Sequence, residues 1–177
     1  MIYFVRHGES EANVKNVFSG QKDDSVLTEK GREQARQTAE EIKKEGLKID
    51  KIISSPLKRT LETAEIIAKA INFDISKILT DKRIIEYDMG SLTGKQYHKI
   101  TAALMITAEN AEDPDLFHQR VLDCVQELSK LPENILLVSH AGVGRILEAI
   151  RQNKDIKSFY DLPRYTNASV TKIDWIK

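Results

Sequence analysis

Cysteine is almost absent from this chain. Cys124 is the single one, which excludes a disulfide framework and any zinc site built from several thiolates. It lies at helical spacing among the apolar residues of 121–128, so a core thiol is expected. Long apolar runs are missing too. No stretch approaches the ~20 residues of a membrane-crossing helix, and the start lacks the charged segment and apolar run of a secretory signal. Cytoplasmic localisation without a membrane partner is the expectation. Nor is there an excess of charge: 27 basic residues face 27 acidic ones. No global field draws such a chain to nucleic acid or lipid, and any anion site must be assembled locally. Repeats, low-complexity tracts and linkers are also lacking. What remains is one domain over residues 1–177, whose 41% hydrophobic and 31% charged content is ordinary for a soluble core-forming chain.

What the chain does have is alternation. Ile2-Tyr3-Phe4-Val5 is a short buried strand. It ends abruptly in Arg6-His7-Gly8-Glu9-Ser10. Residues 8–27 read as a long polar loop, of the kind that in a compact domain carries function or is disordered. Thr28 caps a helix striped by Ala35, Ala39 and Ile42 and ended by Gly46. Residues 51–54 form a second strand, and Pro56 opens a helix that buries Leu57, Leu61, Ala64, Ala68 and Ile71. Residues 75–79 read as a weaker third strand, 86–98 as loop, and 99–131 as helix interrupted near Asp113-Pro114. A strongly apolar strand at 135–139 runs into His140-Ala141-Gly142 and a helix carrying Val143, Ile146, Leu147 and Ile150. Residues 169–176 make a final strand. The order predicts an α/β fold, with three layers and helices on both faces of a mostly parallel sheet.

Two strands end alike: Val5-Arg6-His7-Gly8 and Ser139-His140-Ala141-Gly142 each place a histidine just past a buried strand. In a parallel sheet these ends point the same way, towards the edge where α/β sheets bind ligands. Arg59 falls in the first turn of the helix after the second strand and reaches the same crevice, where a helix N-terminus also favours anions. A neutral chain that concentrates Arg6, Arg59 and two imidazoles in one place is suited to an anion. Phosphate fits best, because guanidinium offers planar, paired donors to its oxygens. An unprotonated imidazole can attack phosphorus, and a carboxyl can protonate the leaving oxygen and then activate water. Glu86, before a Gly-containing loop, is the candidate acid, with Glu9 and Asp88 as weaker rivals. His7, His140 and Glu86 would be a conceivable metal set, but two adjacent arginines would repel a cation, so no metal is expected.

Arg6-His7-Gly8-Glu9-Ser10 resembles the signature of the histidine phosphatase, or phosphoglycerate-mutase-like, superfamily. Ser54-Ser55-Pro56-Leu57-Lys58-Arg59, with Thr63-Ala64 beyond it, is similar to that family's second motif. Ile84-Ile85-Glu86 with Gly90 and Gly94 resembles the segment carrying its acid, with Ile in place of Leu. Asn167-Ala168-Ser169 resembles its last motif. The resemblance implies a phosphoglycerate-mutase-like fold, His7 as nucleophile, and Arg6, Arg59 and His140 as holders of the phosphoryl group. It implies Glu86 as acid, no cofactor, and substrate contacts from Asn13, Ser19, Gly20 and Gln21. Asn13 and Gln21 fit turns equally well. His98 and His118 match no motif, and a surface or helix-face position is expected for each.

Rival signatures fail on spacing. Cys124 is followed by Lys130 where a cysteine phosphatase needs arginine, and residues 90–95 are one residue short of a P-loop. Within the family, mutases generally run longer. They usually carry Trp before the first-loop Asn and Arg after the acid. Here Ala12 and Tyr87 stand at those positions, which favours the phosphatase branch. The expected activity is metal-independent hydrolysis of a small phosphomonoester. Phosphoglycerate mutation, or non-catalytic phosphate binding on the same fold, are the alternatives. Residues 91–120 would cover the site, with the apolar 102–111 tip lining the leaving-group side or packing as core. The final strand, if at a sheet edge, would offer a homodimer contact.

Overall fold

In the computed structural model, which describes residues 1–175, five strands form one sheet in the order β3-β2-β4-β1-β5. The strands are β1 (Ile2–Arg6), β2 (Lys51–Ser54), β3 (Leu79–Thr80), β4 (Ile135–Ser139) and β5 (Val170–Ile173). β4 pairs in parallel with β1 and β2, and β3 in parallel with β2, while β5 runs antiparallel to β1. Six helices accompany them: α1 (Glu11–Val14), α2 (Glu29–Lys44), α3 (Lys58–Ala70), α4 (Ala102–Ile106), α5 (Pro114–Ser129) and α6 (Ala141–Gln152).

The β4 sequence explains the layering. It is buried along its whole length, as a central parallel strand must be. Leu136 and Val138 point to the face where Val5 and Ile52 meet Ala35, Ala39 and Ile42 of α2 and Ala64, Ile67 and Ala68 of α3. Ile135 and Leu137 point to the other face, with Phe4, Val121, Val125, Ile146 and Leu147 from β1, α5 and α6. The result is the expected three-layer α/β/α arrangement. Burial of a side chain such as Phe117, at 0% exposure, contributes about 1.5–3 kcal/mol.

Helix starts follow local chemistry. Thr28 accepts from Gly31 N–H, as its position suggested, and Asp113 accepts from Asp115 and Leu116 N–H ahead of Pro114. Other boundaries differ from the sequence reading. α3 begins at Lys58 and not at Pro56. The loop after β1 contains the one-turn helix α1. Residues 75–77 form a 3-10 turn, because the Asp74 carboxylate caps Ser76 N–H and Oγ. Only Leu79 and Thr80 then join the sheet. The span 99–131 is two helices: α4 is capped by Thr101 and stops at Thr107, and Asn110 takes a left-handed φ of 57° before α5. The last strand is shorter than expected and lies on the sheet edge, and Ile176 falls outside the described residues. Cys124 is buried in the core beside Asp81, and burial pushes its thiol up to about 12. No helix of the described residues is long and apolar enough to cross a membrane.

Candidate active site

Three strand ends build the site. β1 ends in Arg6 and delivers His7, β4 delivers His140, and the turn after β2 leads to Arg59 in the first turn of α3. Parallel pairing through β4 brings these ends to one edge. The His7 and His140 rings lie 5.3 Å apart, edge to face. In front of them is a cleft of about 570 Å³ lined by Arg6, His7, Arg59 and Glu86, with Asn13, Ser19 and Gly20 on its wall. His140 sits behind that wall at 0% exposure. Gln21 is not part of the wall; its Nε2 donates to the Glu86 carbonyl at 2.9 Å and braces the loop instead.

His7 Nδ1 lies 2.7 Å from the Gly8 carbonyl oxygen. A carbonyl only accepts, so Nδ1 carries the proton and Nε2 the free lone pair. Burial first, then the Arg59 and Arg6 cations, hold this imidazole well below its ordinary pKa, against a smaller opposing effect of the Gly8 bond. The ring is therefore neutral with a fixed tautomer. The loop that holds it is tight: a Cβ on Gly8 would stand 2.3 Å from the Gly31 carbonyl oxygen. Asn167 Nδ2 donates to the His7 carbonyl at 2.8 Å, and Thr63 Oγ1 accepts from Gly8 N–H at 3.1 Å.

His140 Nε2 lies 2.7 Å from Ser55 Oγ. That oxygen also accepts from Leu57 N–H at 3.5 Å and keeps its own proton to give. With Ser55 as the donor, the ring proton of His140 resides on Nδ1. Burial, then Arg59 and His7, keep the ring well below its ordinary pKa. Arg6 donates to the Tyr165 carbonyl at 2.9 Å, and Arg59 to the Asp23 and Gly20 carbonyls at 3.0 and 2.9 Å. Burial, then Arg164, lower Arg6 to about 10, and burial lowers Arg59 too. Arg6 Nε, Arg59 Nε and His140 Nδ1 are buried and have no partner among the described residues. Buried donors are seldom left unpaired. Three at one sheet edge fit an anion rich in acceptor oxygens.

Glu86 is placed with equal care. Its carboxylate accepts from Tyr87 N–H at 2.9 Å and from Gly142 N–H, at the start of α6, at 3.1 Å. A Cβ on Gly142 would fall 2.2 Å from Glu86 Oε1. Arg120 donates to the carbonyls of Arg83, Ile85 and Glu86 and pairs with Glu112 at 2.6 Å, tying the segment to α5. The rivals lie elsewhere: Glu9 pairs with Lys30 at 2.9 Å and Asp88 with Lys22 at 3.5 Å, and neither lines the cleft. His98 is exposed and His118 half-buried on α5, both away from it.

The outer wall holds residues that sequence reasoning missed: Arg145, Tyr160, Arg164, Phe159, Phe18 and Met89. Arg145 had a faint signal, five residues beyond His140 on the helix that starts at the site. From residues 91–120 the wall takes Tyr97. In the 102–111 tip, Met105 is core and Leu104 is exposed.

The sequence matches the histidine phosphatase superfamily (branch 1) over residues 2–177. The chain belongs to that superfamily. It is 41% identical over 178 residues to a 2,3-bisphosphoglycerate-dependent phosphoglycerate mutase of Thermoplasma acidophilum, covering 96% of this chain and 84% of the relative. Among solved structures, YhfR of Bacillus stearothermophilus superposes with a TM-score of 0.82 at 27% identity, over 99% of this chain and 92% of that one. A mycobacterial glucosyl-3-phosphoglycerate phosphatase superposes with a TM-score of 0.77 at 26% identity, over 96% and 87%. Relatives in this superfamily thus include both mutases and phosphatases, built on the phosphoglycerate-mutase-like fold seen here.

Proposed function

We propose that this histidine phosphatase family member hydrolyses phosphomonoesters, without a metal, through a phosphohistidine on His7. The observation that carries the reading is the His7 tautomer, fixed by Gly8, beside the unpartnered Nε atoms of Arg6 and Arg59. In the first step His7 Nε2 donates its lone pair to phosphorus as the ester P–O bond breaks. Arg6, Arg59 and His140 Nδ1–H hold the charge on the non-bridging oxygens, so the work is positioning and electrostatics. Glu86 gives its proton to the departing alkoxide. In the second step the Glu86 carboxylate takes a proton from water, the hydroxide attacks phosphorus, the P–N bond breaks, and inorganic phosphate leaves.

Asn13 accepts from Ser10 N–H and Asn167 Nδ2 through Oδ1, which leaves its own amide N–H groups for a phosphoryl oxygen. Ser19 and Gly20 serve the substrate side, and residues 91–120 act as the cover within a single domain. Mutase activity is the second reading, favoured by the name of the 41% identical relative. Ala12 and Tyr87, where mutases usually carry Trp and Arg, favour hydrolysis.

The test is release of p-nitrophenol from p-nitrophenyl phosphate in excess EDTA, wild type beside His7→Ala. Hydrolysis that survives chelation and vanishes in the variant is the expected outcome. Activity retained by His7→Ala would sink the mechanism. A wild type inert here but active in phosphoglycerate interconversion would be a mutase, and one inert in both would be a phosphate-binding protein.

A further inference from the structure

Glu86 is mounted differently from the other residues at the strand ends. His7 and His140 follow strands paired along their length, and Arg59 stands on a helix. Glu86 lies beyond the end of β3, and side chains hold its main chain in place. The successive carbonyls of residues 83–86 all accept from side chains. Ser139 Oγ donates to Ile84 at 2.7 Å, and Gln21 Nε2 to Glu86 at 2.9 Å. The rest come from one residue of α5: Arg120 donates to the Arg83, Ile85 and Glu86 carbonyls at 2.6, 2.8 and 3.1 Å.

Arg120 is fully engaged. Its Nε and Nη2 form a two-point pair with the Glu112 carboxylate at 2.6 and 2.8 Å. With the three carbonyls, this uses all five guanidinium N–H groups. Glu112 is in turn anchored to the loop after the acid. Its carboxylate accepts from Asp88 N–H at 3.2 Å, its own N–H donates to the Asp88 carbonyl at 3.0 Å, and its carbonyl accepts from Tyr87 Oη. Neither Arg120 nor Glu112 lines the cleft. A planar fork of fixed donors can set the path of a main chain, whereas an ammonium acts as a point charge. The Glu86 carboxylate follows that path, because one of its partners, Tyr87 N–H, belongs to the same stretch.

We infer that Arg120, locked by Glu112, is the positioning residue for Glu86: it aims the acid at the departing oxygen without touching substrate. The inference rests on the reading of Glu86 as general acid. It extends the working parts of the site to α5, a helix that gives no side chain to the cleft wall.

Dependence on the leaving group tests this. Phenyl phosphate and p-nitrophenyl phosphate are similar in shape, but phenolate is the more basic leaving group and needs the proton more. Their kcat/KM values, which report the step that releases the phenol, are measured for wild type, Glu86→Gln, Arg120→Lys, Glu112→Gln and Glu86→Gln/Arg120→Lys. Arg120→Lys keeps the charge and loses the fork. It should lower kcat/KM for phenyl phosphate about tenfold or more, as misplacement of a reacting group does, and clearly less for p-nitrophenyl phosphate. On top of Glu86→Gln it should cost little further, since both act through one proton. Glu112→Gln should show the same bias at smaller size, and it carries the test if Arg120→Lys fails to fold. A merely structural role would lower both esters alike. So would the influence of the Arg120 charge on His140. An equal loss for both esters, no loss, or a full additional loss in the double variant overturns the inference. Bias in Glu86→Gln without bias in Arg120→Lys or Glu112→Gln removes the positioning role and keeps the acid. A Glu86→Gln variant without bias, or a wild type inert on both esters, removes the acid reading and the inference together.

Discussion

The floor and the mouth of the cleft are both lined with arginine, yet they are held in different ways. On the floor, Arg6 and Arg59 are buried and tied to main-chain carbonyls of Tyr165, Asp23 and Gly20. At the mouth, Arg145 and Arg164 lean on the rings of Tyr160 and Tyr97 and stay partly or largely exposed. Main-chain carbonyls of a folded core do not move to suit a ligand, so the floor is preorganised for one chemical group. An aromatic face tolerates sliding of the guanidinium above it, so the mouth can accommodate groups at different distances.

The largest expected effect sharpens the floor. Glu86→Gln should lower kcat by about 10²–10⁴ for an alkyl phosphate, the usual worth of general acid–base catalysis. The loss should be clearly smaller for p-nitrophenyl phosphate, whose leaving group needs little protonation. An equal loss for both esters would mean that Glu86 does not protonate the leaving oxygen. Next, Arg59→Met removes a floor cation and should cost about 10²–10³ in kcat, as loss of a preorganised charge stabiliser does. A change in KM alone would contradict a role that strengthens in the transition state.

Acid should then destabilise the floor selectively. His7 and His140 are held neutral in the folded chain, with pKa values below those of the unfolded chain. Their contribution to stability is present above about pH 6.5 and is lost as pH falls, by up to about 1.4 kcal/mol per pH unit for each histidine. Urea midpoints at pH 7.5, 6 and 5 would read this decline, and the His140→Asn variant should flatten it. The smallest effect belongs to the mouth. Tyr160→Leu removes the ring beneath Arg145 and should cost about 0.5–1 kcal/mol in substrate binding, seen in KM with kcat nearly constant. A large kcat effect there would erase the distinction between floor and mouth.

The same division governs what could be read from the sequence. The floor was legible because a charged or imidazole residue directly after an apolar run is rare and has a fixed address: Arg6, His7 and His140 stand at strand ends, and a parallel sheet brings such ends together. Glu86 was legible only through its resemblance to a motif, since nothing in Ile84-Ile85-Glu86 announces that Gly142 N–H will cap it. Arg145 and Arg164 look like solvated charges, one on a helix and one after Pro163; their place on the cleft wall depends on which rings lie beneath them, which is tertiary information. Among the elements, β3 was misjudged because Ile75 and Ile78 suggest a strand, whereas the Asp74 side chain holds the chain in a turn. The span after residue 99 was misjudged because Thr107 and Asn110 end a helix that the apolar pattern would have continued.

The pairing of β1 bears on how the fold is made. β1 leads into His7, the proposed nucleophile, yet Ile2 pairs with Ile135 on one side and Ile173 on the other. Ala168 N–H also closes on the Arg6 carbonyl at 2.8 Å. During synthesis β1 leaves the ribosome long before either neighbour exists. Pairing over such sequence distance is slow to form and leaves strand edges exposed meanwhile. The site is therefore completed late: until β5 is released, β1, which leads into His7, has one side open, and the strand-end crevice proposed to bind phosphate is not yet closed.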